Sequence, residues 1–421
     1  MTKLTRRDIL KGAALATVAS PVIVPCSVFG QERKAAPSER VTVAHIGVGN
    51  MGSGDLGAIL ASKEAQTVAV ADPYQDRCDA AASVANVKGY QDFRKMFDAI
   101  KPDAVVIATP DHWHVPAAIY AGKLGIHAYV QKPLGLTIEQ DLALLKLFKE
   151  KKLTFQYGTQ QRSMSHCHRG CELVRRGAIG KVKHIEVTAP VDGYAVWPIE
   201  EAPVPPTLAY DMWLGPAPMV TYTKERCVSP GHFHIYDYSI GYLADWGAHP
   251  LDIMVWGSDA DLSGPITVEG KGLIPTEGLY NNIIEWDMNI MLGDTPLSFK
   301  HGGDMTKFYG EDGRWIDIRR GGLTASDPAI LNSFDESVTP ILQPSRSGMH
   351  EEDFVLAIKG GKRAVTSLEE SVRSDIISHL CDIAVRTNSK VSWDPKKFEF
   401  ISVPDAGKKM ASRPIRSPWT L

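Results

Sequence analysis

Near neutral pH, protons are moved by side chains such as lysine, aspartate and histidine once their surroundings tune them. Three such residues stand in contexts that suggest chemistry. Lys132 lies in Tyr129-Val130-Gln131-Lys132-Pro133-Leu134, at the end of a short apolar run. Asp245 and His249 lie in Gly241-Tyr242-Leu243-Ala244-Asp245-Trp246-Gly247-Ala248-His249-Pro250-Leu251-Asp252. A helix over residues 242–256 sets Asp245 and His249 on one face, since residues four apart are neighbours there. The carboxylate then orients the imidazole. With a lysine facing them, the group can take the proton of a carbinol hydroxyl, which must leave when hydride leaves the same carbon.

The hydride acceptor is indicated upstream. Gly47-Val48-Gly49-Asn50-Met51-Gly52 is a complete G-x-G-x-x-G. An apolar strand at 41–46 precedes it, a helix at 55–61 follows it, and Asp72 stands 20 residues beyond its last glycine. This context is that of a dinucleotide-binding loop. Gly47 permits the tight turn, Gly49 lets the backbone approach a pyrophosphate, and Gly52 allows helix to pack on strand. Asn50 and Met51 lie between the glycines, ahead of the helix whose N–H groups and dipole favour phosphate. Asp72 can accept both adenosine ribose hydroxyls and repels a 2′-phosphate, so NAD is expected over NADP; Arg77 is the nearby cation that argues the other way. A positive nicotinamide would lower the pKa of Lys132 and suit it to proton removal.

The elements that must position these groups alternate. Strand-like runs at 41–46, 67–71, 104–108, 127–130 and 154–157 interleave with helical stretches at 55–61, 80–84, 93–100, 115–124 and 138–151. Ala104-Val105-Val106-Ile107-Ala108 is continuously apolar, as a strand buried on both faces must be. The rhythm predicts an α/β fold with a doubly wound parallel Rossmann sheet over residues 40–160. Helices at 167–176, 242–256, 352–358 and 368–385, with strands at 182–189, 266–269, 282–291, 297–300 and 315–319, predict a second, α+β domain over 161–394 with a largely antiparallel sheet. Residues 395–421 read as a Pro-containing C-terminal arm. Residues 190–235, rich in Pro, aromatics and His, read as a long functional loop. Within and just after it, Trp213 would offer a stacking platform, His232 and His234 would contact sugar hydroxyls, and Tyr236 or Tyr238 would add an acid.

Composition sets bounds. A chain of 421 residues suffices for two domains with large cores. The net charge is −3 and residues 1–30 are cation-rich, which argues against nucleic acid or an anionic membrane as partner. Six cysteines (Cys26, Cys78, Cys167, Cys171, Cys227 and Cys381) show no C-x-x-C, against a disulfide scaffold. Three H-x-H pairs, His112/His114, His166/His168 and His232/His234, have other uses in the expected fold, and no metal is expected. The chain begins with Thr5-Arg6-Arg7-Asp8-Ile9-Leu10-Lys11, then an apolar run at 13–24 and small residues toward Gly30. The run is too short to span a bilayer. This is the layout of a secretory leader, and the paired arginines resemble a twin-arginine signal for folded cargo. Residues 1–30 are expected to be removed, 31–39 to form a linker, and the mature protein to be periplasmic.

Residues 41–388 resemble the Gfo/Idh/MocA oxidoreductase family. The likeness is carried by the glycine loop, Thr109-Pro110-Asp111-His112-Trp113-His114, Lys132-Pro133, Gly158-Thr159-Gln160-Gln161-Arg162 and Asp245-x-x-x-His249. It implies a Rossmann domain that binds NAD or NADP and a C-terminal open sheet whose flat face makes homodimers or homotetramers. It gives Lys132, Asp245 and His249 the positions of the catalytic residues. It also places Thr109, Pro110, His112, His114, Gln131 and Gln161 at the cofactor, and Trp113, His114 and Arg162 at a carbohydrate or cyclic polyol. Gln131 stands where the family has Glu, so it can hydrogen-bond but not titrate, and proton transfer falls to Lys132 and His249. Three readings follow: a net dehydrogenase, a redox-neutral glycoside hydrolase, lyase or epimerase that recycles bound NAD through a keto-sugar, and a non-catalytic sugar-binding relative. Lys132, Asp245 and His249 together argue against the last.

Overall fold

The computed structural model describes residues 37–192, 198–334 and 339–421. The expected leader and residues 31–36 of the linker therefore lie outside the described residues. Ahead of Val41 the described residues include the short turn Pro37–Glu39.

From Val41 the chain alternates as its apolar runs require: β1 (Val41–Ile46), α1 (Asn50–Ala61), β2 (Ala65–Ala71), α2 (Gln75–Ala85), β3 (Lys88–Tyr90), α3 (Phe93–Ala99), β4 (Ala104–Ile107), α4 (His114–Lys123), β5 (His127–Val130), α5 (Ile138–Lys151) and β6 (Phe155–Tyr157). The six strands form a sheet of order β3-β2-β1-β4-β5-β6, with every pairing parallel. The order reverses between β1 and β4, so their carboxyl ends open a crevice where doubly wound sheets bind ligands. β3 escapes a sequence reading because its three residues are exposed or half-buried. Helix α1 begins at Asn50, inside the glycine loop and five residues before the expected start at 55. The loop flows directly into the helix, which brings the helix N-terminus to the crevice.

The second half runs α6 (Ser165–Arg175), β7 (His184–Ala189), α7 (Tyr210–Leu214), α8 (Tyr242–Asp245), α9 (Ala248–Ser258), β8 (Ile266–Leu273), β9 (Glu285–Leu292), β10 (Thr295–His301), β11 (Met305–Tyr309), β12 (Trp315–Arg319), β13 (Gly322–Ala325), α10 (His350–Gly360), α11 (Leu368–Thr387), β14 (Val391–Asp394), β15 (Glu399–Ser402) and α12 (Asp405–Met410). Its nine strands form an open sheet of order β13-β12-β11-β7-β10-β9-β8-β14-β15. All neighbours are antiparallel except β7 and β10. β9 alternates strictly, burying Trp286, Met288, Ile290 and Leu292 and exposing the residues between them, so one face carries the core. Helices α9 and α11 lie over that face.

Two expectations change. The helix expected over 242–256 is two helices: the Gly247 N–H reaches back five residues to the Tyr242 carbonyl, and a Cβ at Gly247 would lie 1.9 Å from the Leu243 oxygen. Asp245 ends one helix and His249 lies in the first turn of the next. The expected C-terminal arm is integrated: β15 pairs with β14, and Arg416 binds Asp211 and the Gly215 and Ala217 carbonyls.

Candidate active site

The crevice starts at the glycine loop. Gly47 adopts φ +82°, and a Cβ there would lie 2.5 Å from the Ala108 oxygen; one at Gly52 would lie 2.1 Å from the Gly47 oxygen. Both positions are closed to any side chain by backbone. At Gly49 the nearest atom is 3.6 Å away, and Gly49, Asn50 and Met51 line the crevice. A phosphate can therefore reach the open N–H groups of α1. Asp72 accepts from the Val48 N–H at 3.0 Å and the Tyr74 N–H at 2.9 Å. Burial raises its pKa, while these donors and Arg77 pull it down. Arg77 lies over the Tyr74 ring, 4.1 Å from its centre. The cavity, about 480 Å³, continues past Thr109, Pro110, Gln131 and Trp113 to Lys132 and Asp245, a size and shape suited to a cofactor and small ligand.

Lys132 follows β5, and its Nζ donates to Asp245 Oδ1 at 2.5 Å. Beside them is a group that sequence reading missed. Asp111 lines the same cavity, is 1% exposed, and leaves Oδ2 without a partner. Burial and then the Asp245 charge push its carboxyl well above the usual carboxylate range, against a hydrogen bond from Ser239. The available signal was its place in the loop after β4, two residues beyond Thr109. The reacting end thus holds a lysine, its carboxylate partner and a second carboxyl favoured in its neutral form.

His249 is buried, and its Nδ1 has no partner. Burial lowers its pKa well below the ordinary value, helped by the charges of Lys132 and Arg320. Asp245 binds Lys132, so it does not orient His249 as the sequence suggested. His114 faces the Pro133 carbonyl at 2.6 Å and the Thr109 carbonyl at 3.0 Å. Burial outweighs both and brings its pKa to about 4; it lines the cavity and ties two of its walls together. Gln131 donates from Nε2 to both oxygens of Asp55, at 3.1 and 2.9 Å, and keeps Oε1 free.

Trp113, Trp213 and His232 line the cavity. The Trp113 indole N–H donates to the Met212 and Trp213 carbonyls, and Trp213 meets Tyr238 edge-on, so both rings are wall and packing at once. Other expected contacts do not reach the cavity wall. His112 Nε2 faces the Trp213 carbonyl at 2.9 Å, behind the wall. Gln161 binds Asp304. Arg162 is committed to both oxygens of Asp252 and to Glu370. His234 faces the Asp192 carbonyl and stacks on Tyr280. Tyr236 donates to Asp382 between Arg386 and Arg413. Tyr238 is fully buried and accepts from Arg226. These residues brace the loop and domain core because packing there offered each a polar partner.

Comparison with known proteins agrees with this geometry. Residues 41–159 match a family described as an oxidoreductase family with NAD-binding Rossmann fold, and residues 193–421 its C-terminal alpha/beta domain. A glycosyl hydrolase family 109 protein of Akkermansia muciniphila is 25% identical over 38% of this chain and 36% of its own length. An inositol 2-dehydrogenase of Rhizobium meliloti is 28% identical over 34% of this chain and 43% of its own. The chain thus spans well under two thirds of the length of such relatives. Among solved structures, scyllo-inositol dehydrogenase of Lactobacillus casei with bound NAD(H) and scyllo-inositol superposes with TM-score 0.59 at 18% identity, covering 84% of this chain and 99% of that one. The WlbA dehydrogenase of Bordetella pertussis in complex with NADH and UDP-GlcNAcA gives TM-score 0.63 at 13% identity, covering 83% and 98%. The family matches, the Rossmann order and the glycine cradle agree: this chain belongs to the Gfo/Idh/MocA oxidoreductase family, and its cofactor is NAD.

Proposed function

We propose that this protein oxidises a carbohydrate or cyclic polyol by hydride transfer from a carbinol carbon, with Lys132 at the hydroxyl proton and Asp245 behind it. The observation that carries the reading is the 2.5 Å contact of Lys132 Nζ with Asp245 Oδ1, at the far end of the crevice that starts on the glycine loop. Bound NAD supplies the hydride acceptor. Lys132 serves as the base once its proton has passed to Asp245, which stands at hydrogen-bond distance. The free amine then takes the hydroxyl proton at Nζ. Asp111, kept neutral, adds no negative charge that would hold Lys132 protonated. His249 is buried and lies off the cavity wall, so the proton step falls to Lys132 and Asp245. Trp113, Trp213 and His232 form the substrate wall in this reading.

A redox-neutral use of the same site is favoured by the relatives named glycosyl hydrolase family 109. There, oxidation of one carbinol acidifies the adjacent C–H, the glycosidic oxygen leaves by elimination, water adds across the resulting C=C bond, and return of the hydride would restore the carbinol. Export of the folded protein by its twin-arginine-like leader, and assembly as a homodimer or homotetramer, belong to the same proposal. Export rests on the leader's sequence pattern and assembly on the family resemblance. Purified protein is dialysed and denatured, and released nicotinamide is counted. Retained NAD with no net reduced cofactor during turnover supports the redox-neutral form. An exchangeable site with accumulating reduced cofactor supports the dehydrogenase. A chain that binds no nicotinamide sinks both.

A further inference from the structure

Asp141, Asp375 and His379 meet where α5 of the Rossmann half packs against α11 of the second half. All three are buried, and one ligating atom of each lies within 4.8 Å of the others. Asp375 and His379 are four apart on α11 and share a face, while Asp141 comes across from α5. His379 Nε2 stands 3.4 Å from Asp141 Oδ2 and 3.3 Å from Asp375 Oδ2.

Spacing separates this trio from an ordinary ion pair. Charge-assisted N–H···O bonds close to about 2.7–2.9 Å. Among buried pairs Lys132–Asp245, Arg162–Asp252 and Arg373–Asp261 close to 2.5, 2.6 and 2.6 Å, whereas exposed pairs run out to 3.8 Å. The imidazole instead stays equally far from two oxygens. A tetrahedron whose corners lie about 2.0–2.1 Å from its centre, as nitrogen and carboxylate ligands lie from zinc, has edges of about 3.3–3.4 Å.

The donors point the same way. Neither oxygen of Asp141 has a hydrogen-bond partner, nor has Asp375 Oδ2, nor His379 Nε2. Asp375 Oδ1, by contrast, accepts from the Leu134 N–H at 3.2 Å and the Tyr157 hydroxyl at 3.1 Å. One oxygen is held from outside and the other is left facing the imidazole, as in a carboxylate oriented for a metal. Without a metal, burial and Asp375 raise the Asp141 carboxyl to about 8, while the two carboxylates, against burial, raise His379 to about 10. Metal binding would displace those shared protons, and a divalent cation would then cancel the double negative charge of two ionised carboxylates around a neutral imidazole.

We propose that Asp141, Asp375 and His379 bind a divalent transition metal of the zinc class, which clips the Rossmann half to the second half. The mixed oxygen–nitrogen set suits zinc, manganese or iron better than magnesium or calcium. The site takes none of the three H-x-H pairs that a sequence reading weighs. It lies outside the cavity, yet Leu134 is two residues from Lys132, so the clip also holds the backbone that carries Lys132. The full chain, dialysed against metal-free buffer, is assayed by elemental mass spectrometry. Dipicolinate stripping and Zn²⁺ or Mn²⁺ re-addition are followed by thermal melting. The wild type should hold about one zinc-class ion per chain, and Asp141→Asn and His379→Gln should lower the content by about tenfold or more. Stripping should lower Tm, and the metal should restore it in the wild type only. If the variants do not fold, the wild-type stripping and re-addition decide alone. Content below about 0.1 per chain with no thermal response to either ion overturns the proposal, and the trio is then a proton-sharing network. Metal retained undiminished in both variants overturns it too, since the ion then sits elsewhere.

Discussion

At the residue scale, Lys132 and Asp245, in contact at 2.5 Å, form one proton-carrying unit in the proposed function. Replacing Lys132 by Met should lower kcat by about 10²–10⁴-fold while NAD still binds, as read by cofactor titration beside steady-state rates. Asp111 tests the electrostatics separately. Above its raised pKa it becomes an anion beside Lys132 and Asp245, which favours the protonated lysine and opposes proton removal. The kcat–pH profile of the wild type should therefore carry an alkaline inflection that Asp111→Asn lacks. Coincident profiles would make Asp111 inert.

At the element scale, the glycine loop separates packing from binding. Gly47→Ala meets a positive φ and backbone atoms at once and should cost well over about 1 kcal/mol, seen as a lower Tm. Gly49→Ala has room, so Tm should hold while NAD affinity falls; equal losses in both variants would contradict this account. Much of this level was legible in the sequence. β5 and α5 occupy the ranges that their apolar patterns indicate, and the glycine loop declares its neighbours. What was hidden is tertiary. The α8–α9 break depends on a backbone contact at Gly247. Arg162 finds Asp252 across 90 residues of chain, and Tyr236 finds Asp382 across 146. Periodicity says which face is polar and leaves open which partner it meets, so residues that look like ligand contacts turned out to be braces.

At the scale of the whole molecule, Arg162, Asp252 and Glu370 form a buried ionic joint in the second half. Burial raises the Glu370 pKa, but Arg162 and Arg363 outweigh it and hold the carboxyl at about 2. Its folded pKa is below its unfolded one, so its stabilisation is complete above about pH 4.3 and is lost as pH falls toward 2. Acid melting of the wild type should show this loss, and Arg162→Ala should reduce it. That variant leaves the buried Asp252 without its ion-pair partner, while Glu370 keeps Arg363, and should cost about 3–5 kcal/mol without weakening the substrate affinity of the folded fraction.

The most direct test of the central claim is a single turnover. NAD-loaded protein is mixed with a panel of hexoses, glycosides and inositols, and the near-ultraviolet absorbance of reduced nicotinamide is followed in the wild type and in Lys132→Met. The account predicts a substrate-dependent burst in the wild type, stable for a net dehydrogenase and transient for a redox-neutral enzyme, slowed by about 10²-fold or more in the variant. A burst of equal rate in both would contradict it.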